Sequence, residues 1–260
     1  MSNIISFSLW GSESFYFNGC IENIELAKEI YPGWTVRFYC DSKVDKSFLD
    51  KLESKGAQVI VMDTITNNWE GLFWRFMPAS ETNVDVFISR DIDSRLNYRE
   101  KAAVDEWLVS DKKLHCMRDH LEHNVPILGG MWGCKKGLIP DIGAEVASWG
   151  KYDYKGCDQD FLRERIWESF RSEAIVHDRY CIGLVIHLGR YIEQYYVQPE
   201  MIDGKIAPKE QYAPEEYIDN QLVIPEYSYQ PKLLFGDHDL RPFPKHLPIT
   251  HGTHVGEIIR

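Results

Sequence analysis

The sequence predicts an α/β protein whose central sheet is mixed, mainly parallel and flanked by helices on both faces. Two observations predict it. Through the first half of the chain, apolar runs of strand length alternate with segments whose apolar residues recur at helical spacing. In addition, 260 residues with 44% hydrophobic and 27% charged content suit one cohesive core rather than a disordered chain. The expectation is a single domain over residues 1–260. Residues 178–260 hold 8 of the 12 prolines and 8 of the 14 tyrosines, so they read as an irregular extension packed on that core.

The elements follow in order. Residues 4–11 are an apolar strand ending in a turn. Ile21, Ile24, Ala27 and Ile30 mark a helix stopped by Pro32-Gly33. Residues 34–40 are β-branched and aromatic, a second strand; 46–55 read as a helix closed by Gly56, and 58–62 as strand three. Residues 70–79 place Leu72, Phe73, Phe76 and Met77 on one helical face, and 84–89 form strand four. Asn97 and Glu100 make a capping box for a helix burying Val104, Trp107 and Leu108. Strands are expected at 114–118, 127–134 and 174–177, with a helix over 158–170.

Charge narrows the ligand classes. Forty acidic against 29 basic residues give a net charge of −11, which disfavours nucleic acid and anionic membrane as partners. A phosphate-bearing ligand would need a metal ion to shield it. No apolar run approaches the ~20 residues of a membrane-spanning helix, and the first residues lack the basic flank of a secretory signal. The six cysteines show no Cys-x-x-Cys pair and read as reduced thiols, mostly on strands. A cytoplasmic protein without an integral membrane segment is expected.

In parallel sheets, ligands sit beyond the carboxyl ends of strands. The residues to inspect there are Trp10-Gly11, Asp41, Asp63 and Arg90-Asp91-Ile92-Asp93. Two carboxylates at i and i+2, leaving a buried strand, can both reach one hard cation, which could neutralise charge on a leaving diphosphate. The competing reading is a capped turn, with Asp91 and Asp93 bonding local amides. The preceding aromatic helix with Arg75 favours a site.

The run Ser89-Arg-Asp-Ile-Asp-Ser-Arg95 resembles the Asp-x-Asp motif of GT-A glycosyltransferases. Four other stretches agree in order. The first strand with its turn and Trp69-Glu-Gly-Leu-Phe-Trp-Arg-Phe76 resemble that family's nucleotide-binding parts. Leu128-Gly-Gly-Met-Trp-Gly133 resembles its sugar- and acceptor-side strand, and Asp158-Gln159-Asp160 is similar to the Asp-Gln-Asp of several retaining members. The resemblance covers roughly residues 4–177. It implies a GT-A-like fold and transfer from a nucleotide-sugar donor, UDP-linked first and GDP-linked second, to a glycan or other hydroxyl acceptor. It further implies Mn²⁺ or Mg²⁺ at Asp91 and Asp93. The implied donor contacts are Trp10, Arg75, Arg90, Asp91, Gly129, Gly130 and Gln159. The histidine that completes the metal site in retaining relatives has three candidates here, His177, His251 and His254, with His177 preferred for its place at a strand end.

Asp158, then Asp160, are the expected catalytic carboxylates of a retaining reaction; an inverting one would use Asp119 or Asp160 as base. Plainer roles exist for each: Asp158 as a helix N-cap, Asp160 in a dipole-favoured first turn, the glycines as tight packing. His120 and His123 read as solvated loop residues. The alternative functions are a nucleotidyltransferase, for which no Gly-rich basic triphosphate loop is found, and a non-catalytic nucleotide or carbohydrate binder.

Overall fold

The computed structural model describes residues 2–63, 69–118 and 125–178, together with five short strand segments between 201 and 241. One sheet organises them. Its strands are β1 (Asn3–Leu9), β2 (Thr35–Asp41), β3 (Gln58–Met62), β4 (Val86–Arg90), β5 (Leu114–Arg118), β6 (Met131–Lys135), β7 (Ala174–Asp178) and, after the two-residue pairs β8 (Met201–Ile202) with β9 (Lys205–Ile206) and β10 (Tyr217–Ile218) with β11 (Gln221–Leu222), β12 (Asp239–Arg241). Their spatial order is β12-β7-β5-β6-β4-β1-β2-β3. Every neighbouring pair is parallel except the two made by β6, which runs against β4 and β5. The mixed, mainly parallel α/β sheet expected from the sequence is therefore the observed one.

Two apolar layers cover the sheet. On one face α1 (Ser14–Ile30), α2 (Lys46–Ser54) and α3 (Tyr98–Val109) bury Ile24, Leu52, Val104 and Trp107 against Phe7, Phe38 and Ile88. The side chain of Asp45 caps α2 by accepting from the Ser47 amide at 2.8 Å. Asn97 caps α3, the Glu100 amide donating to Asn97 Oδ1 at 2.9 Å; Glu100 Oε1 accepts from Asn97 Nδ2 at 3.0 Å, a side-chain bond in place of the backbone one of the expected capping box.

The opposite face carries a 3₁₀ helix (Glu70–Ser80), α4 (Ile142–Trp149) and α5 (Cys157–Phe161). The last continues through a π-helical stretch (Leu162–Trp167) into α6 (Glu168–Phe170). Phe73, Phe76, Phe87, Trp132 and Phe161 interlock there edge to face. The helix expected at 70–79 is thus 3₁₀ rather than α, and it carries Pro78 inside it, which supplies no amide to an α ladder.

Five cysteines, at 20, 40, 116, 134 and 157, are free and buried. Cys20 and Cys157 lie on α1 and α5, so three of the five are on strands. Among the described residues no helix is long and apolar enough to cross a membrane. Of the extension 178–260, the described part contributes β12 beside β7; Cys181, His251 and His254 lie outside the described residues.

Candidate functional site

A cleft of about 950 Å³ opens beyond the carboxyl ends of β1 and β4. Strand β1 delivers Ser8, Leu9 and Trp10 to its wall, and the turn after β4 delivers Asp91, Ile92 and Asp93. Gly129 and Gly130 reach the same edge because β6 is reversed, so the residues before it stand beside those after β4. Arg90 pairs with Met131 in that ladder, and one step further sets Gly130 against Asp91. The head of α5 completes the wall with Asp158 and Gln159.

At its floor Arg75 joins two distant carboxylates. The guanidinium donates to Asp91 Oδ1 through Nη1, and to Asp158 Oδ2 through Nη2 at 3.0 Å. The Arg75 amide donates to Ser8 Oγ at 3.0 Å, tying the 3₁₀ helix to β1. Arg75 and Asp158 are both buried, with side chains 6% and 4% exposed, while the Asp91 side chain is 36% exposed. Burial pushes the Asp158 carboxyl above its ordinary range; Arg75 opposes that shift and Asp91 adds to it. Burial alone would lower the Arg75 pKa, but Asp91 and Asp158 outweigh it and leave the guanidinium more firmly charged.

The two glycines are the seats of this bridge. A Cβ on Gly130 would overlap the Asp91 carboxylate, and one on Gly129 would overlap both Asp158 Oδ2 and Arg75 Nη2. Ser89 Oγ donates to the Gly129 carbonyl at 2.6 Å and fixes the loop in place. Gly71 plays the same part higher up, where a Cβ would strike the Trp10 ring.

Of the residues expected from the sequence, Trp10, Arg75, Asp91, Asp93, Gly129, Gly130, Asp158 and Gln159 line this cleft. Asp91 bonds Arg75 rather than a local amide; the turn is closed instead by the Ser94 amide donating to the Asp91 backbone carbonyl at 3.2 Å. Asp160 turns away: its carboxylate accepts from Tyr154 Oη at 2.7 Å and pairs with Arg163 at 2.9 Å. Two residues apart on a helix, 158 and 160 cannot share a face.

Arg90 and His177 are not brought to the cleft. Strand alternation sends Ser89 toward Gly129 and Arg90 to the opposite face of the sheet. There Arg90 Nε donates to Glu100 Oε2 at 3.1 Å, with both side chains 2% exposed. His177 is fully buried, with Nδ1 2.9 Å from His115 Nε2 and Nε2 3.3 Å from Glu106 Oε2. Asp41 accepts from the Lys43 amide at 2.8 Å and lies off the cleft wall, as does Asp63. Asp119, His120 and His123 lie outside the described residues.

Sequence reasoning passed over Glu13, Tyr16 and Lys155, which also line the cleft. Burial, then Asp93, Asp91 and Glu13, raises the Tyr16 pKa, which reports how near the phenol stands to the acidic turn. A signal was available for Tyr16: it sits in the first turn of α1, directly after the strand whose end forms the wall.

As for a metal, no group of three or more His, Cys, Asp or Glu gathers among the described residues. Asp91 and Asp93 offer carboxylate oxygens only. Such a set suits a hard cation that keeps several waters and takes its remaining ligands from phosphate, as Mg²⁺ or Mn²⁺ does, and does not suit an all-protein cage.

No family model and no curated protein matches this sequence. Solved structures resemble it in shape. A glycosyltransferase involved in the glycosylation of the major capsid of PBCV-1 aligns with a TM-score of 0.44 and 16% identity, over 69% of this chain and 82% of its own. Glucosyl-3-phosphoglycerate synthase from Mycobacterium tuberculosis, solved with UDP, aligns at 0.43 and 12%, over 74% and 73%. A mannosyltransferase from Pyrobaculum calidifontis, solved with GDP-Man and Mn²⁺, aligns at 0.41 and 10%, over 66% and 60%. At such identities the chemistry has to be read from the side chains of the cleft.

Proposed function

We propose that the protein is a metal-dependent glycosyltransferase on a GT-A-like scaffold. In this reading it moves a sugar from a nucleotide-diphosphate donor, UDP-linked first and GDP-linked second, to an acceptor hydroxyl on a glycan or glycoconjugate. One observation carries the reading: carboxylates from two distant segments, Asp91 with Asp93 and Asp158, converge in a single cleft beyond the carboxyl ends of β1 and β4.

The charge balance of the wall supports it. Glu13, Asp91, Asp93 and Asp158 face the cleft against Arg75 and Lys155, an excess of acid that would repel a bare diphosphate. Asp93, together with Asp91, would hold Mn²⁺ or Mg²⁺. The ion would supply the positive charge that draws in the two phosphates and stabilises them as they depart.

Transfer breaks the bond between the anomeric carbon and the β-phosphate oxygen, building positive character on the sugar. Asp158, bridged to Asp91 through Arg75, would steady that charge or attack the carbon transiently, which would retain configuration. Gln159 beside it can orient a hydroxyl. Trp10 and Tyr16 give the wall aromatic surface suited to a base or a sugar ring. Asp160, held by Tyr154 and Arg163, acts at most through the helix that carries Asp158.

The test incubates the protein with Mn²⁺ and a panel of nucleotide sugars and acceptors. Nucleoside diphosphate release with sugar transfer supports the reading. Pyrophosphate release from a nucleoside triphosphate would make the protein a nucleotidyltransferase, and binding without turnover a carbohydrate or nucleotide binder. NMR of the product's anomeric configuration decides between retention and inversion.

A further inference from the structure

We propose that Arg75 keeps Asp91 from being captured by a divalent cation until donor phosphates arrive, so that ion and donor load together. The inference rests on the nucleotide-sugar reading of the cleft. Arg75 has nowhere else to go. Its side chain is 6% exposed, one guanidinium nitrogen lies on Asp158, and the group stands 5.6 Å from the Phe76 ring centroid. It bears a permanent charge that solution pH does not remove.

Asp91 is therefore partly neutralised before any ion approaches, and its second oxygen lies against Gly130. A dication held by Asp91 and Asp93 would sit one carboxylate away from a buried guanidinium, and like charges at that separation repel. Phosphate oxygens bring the negative charge that overturns this balance. Asp158 keeps hold of Arg75 when Asp91 lets go, so the guanidinium stays paired and Asp158 stays in place. Arg75 is thus a positioning residue that acts through its two carboxylates rather than by touching phosphate.

The experiment titrates Mn²⁺ alone, and Mn²⁺ with UDP, into the wild-type protein and Arg75→Gln, reading free Mn²⁺ by electron paramagnetic resonance. The variant is expected to bind Mn²⁺ alone at least tenfold more tightly than the wild type. Equal or weaker binding by a folded Arg75→Gln overturns the proposal and leaves the functional reading standing. If wild-type protein takes up neither Mn²⁺ nor UDP, both fall. Should the variant not fold, a crystal structure of the wild type with Mn²⁺ and UDP decides: Arg75 is expected on Asp158 and withdrawn from Asp91. An undisturbed Arg75–Asp91 pair with the ion also on Asp91 refutes the mechanism.

Discussion

Replacing each of two adjacent glycines by alanine should have unequal consequences. Neither Gly129 nor Gly130 has a positive φ, so alanine meets no backbone strain at either position and only the space around the new methyl differs. At 129 that methyl collides with Asp158 Oδ2 and Arg75 Nη2, on side chains 4% and 6% exposed that have no solvent to move into. The backbone cannot retreat either, because Ser89 anchors the Gly129 carbonyl. One ionic contact must open inside the protein, and separating a buried pair costs about 3–5 kcal/mol. For a domain of this size each kcal/mol lowers Tm by about 2–4 °C, so Gly129→Ala should melt about 6–20 °C early. At 130 the obstacle is Asp91, whose side chain is 36% exposed and can swing into the cleft. The cost there is near the low end of overpacking, about 1 kcal/mol, and the shift about 2–4 °C. Differential scanning calorimetry of the two variants measures this directly. Equal shifts, or a larger one for Gly130→Ala, would refute the claim that the glycines are seats for the ionic bridge.

Further outcomes are expected. Asp93→Ala should abolish Mn²⁺-dependent nucleotide binding, checked by calorimetry with UDP and GDP; unchanged affinity removes Asp93 from the metal site. Asp158→Asn should lower kcat about 10²-fold or more with a smaller change in KM, and near-normal turnover would remove Asp158 from the chemistry. His115 is fully buried and held well below its ordinary pKa by burial, then by His177, Arg90 and Lys135. The unfolded chain therefore binds a proton below about pH 6.5 that the folded one refuses. Stability from this group is complete above that pH and falls below it by up to about 1.4 kcal/mol per pH unit, and urea melts of wild type and His115→Gln between pH 5 and 8 should show the variant flatter. Burial pushes the thiols of Cys40 and Cys116 up to about 12 and that of Cys157 to about 11. These three should resist iodoacetamide at pH 8 until the protein unfolds, as peptide mapping would reveal.

Local signals served the sheet well where apolar and β-branched runs were bounded by turns. Strands β3 and β5 begin and end where the sequence placed them. The run expected as a strand from 127 becomes one only at Met131. Ile127 and Leu128 are apolar because the loop before β6 is buried, and burial alone does not distinguish a strand from a packed turn. Helix α4 carries no strong sequence signature, being eight residues with Gly143 inside and few charges to mark a polar face. In the site, Asp91, Asp93 and Asp158 are legible because the turn after β4 and the head of the helix at 158 both fall at the carboxyl edge of a mainly parallel sheet. The role of Arg75 is not, since its partner Asp158 lies 83 residues away. Arg90 and His177 misled for one reason: both sit at strand ends on the right edge, but side-chain alternation aims them through the sheet to the α3 side, where Glu100, His115 and Glu106 receive them.

The reversed direction of β6 has a consequence for how this protein can change. In an all-parallel sheet one rim collects only outgoing loops, each leading on to a crossover helix whose packing restrains it. Here the residues that enter β6 share that rim, and the described loop at 125–130 brings Gly129 and Gly130 straight into an antiparallel strand. The two sides of the cleft therefore answer to different constraints. The outgoing turn with Asp91 and Asp93 is bound to the register of β4 and to the cap of α3, so few alternatives satisfy it. The incoming bank is held instead by the register of β6, by Ser89 on the Gly129 carbonyl and by the distance its two glycines keep from the carboxylates.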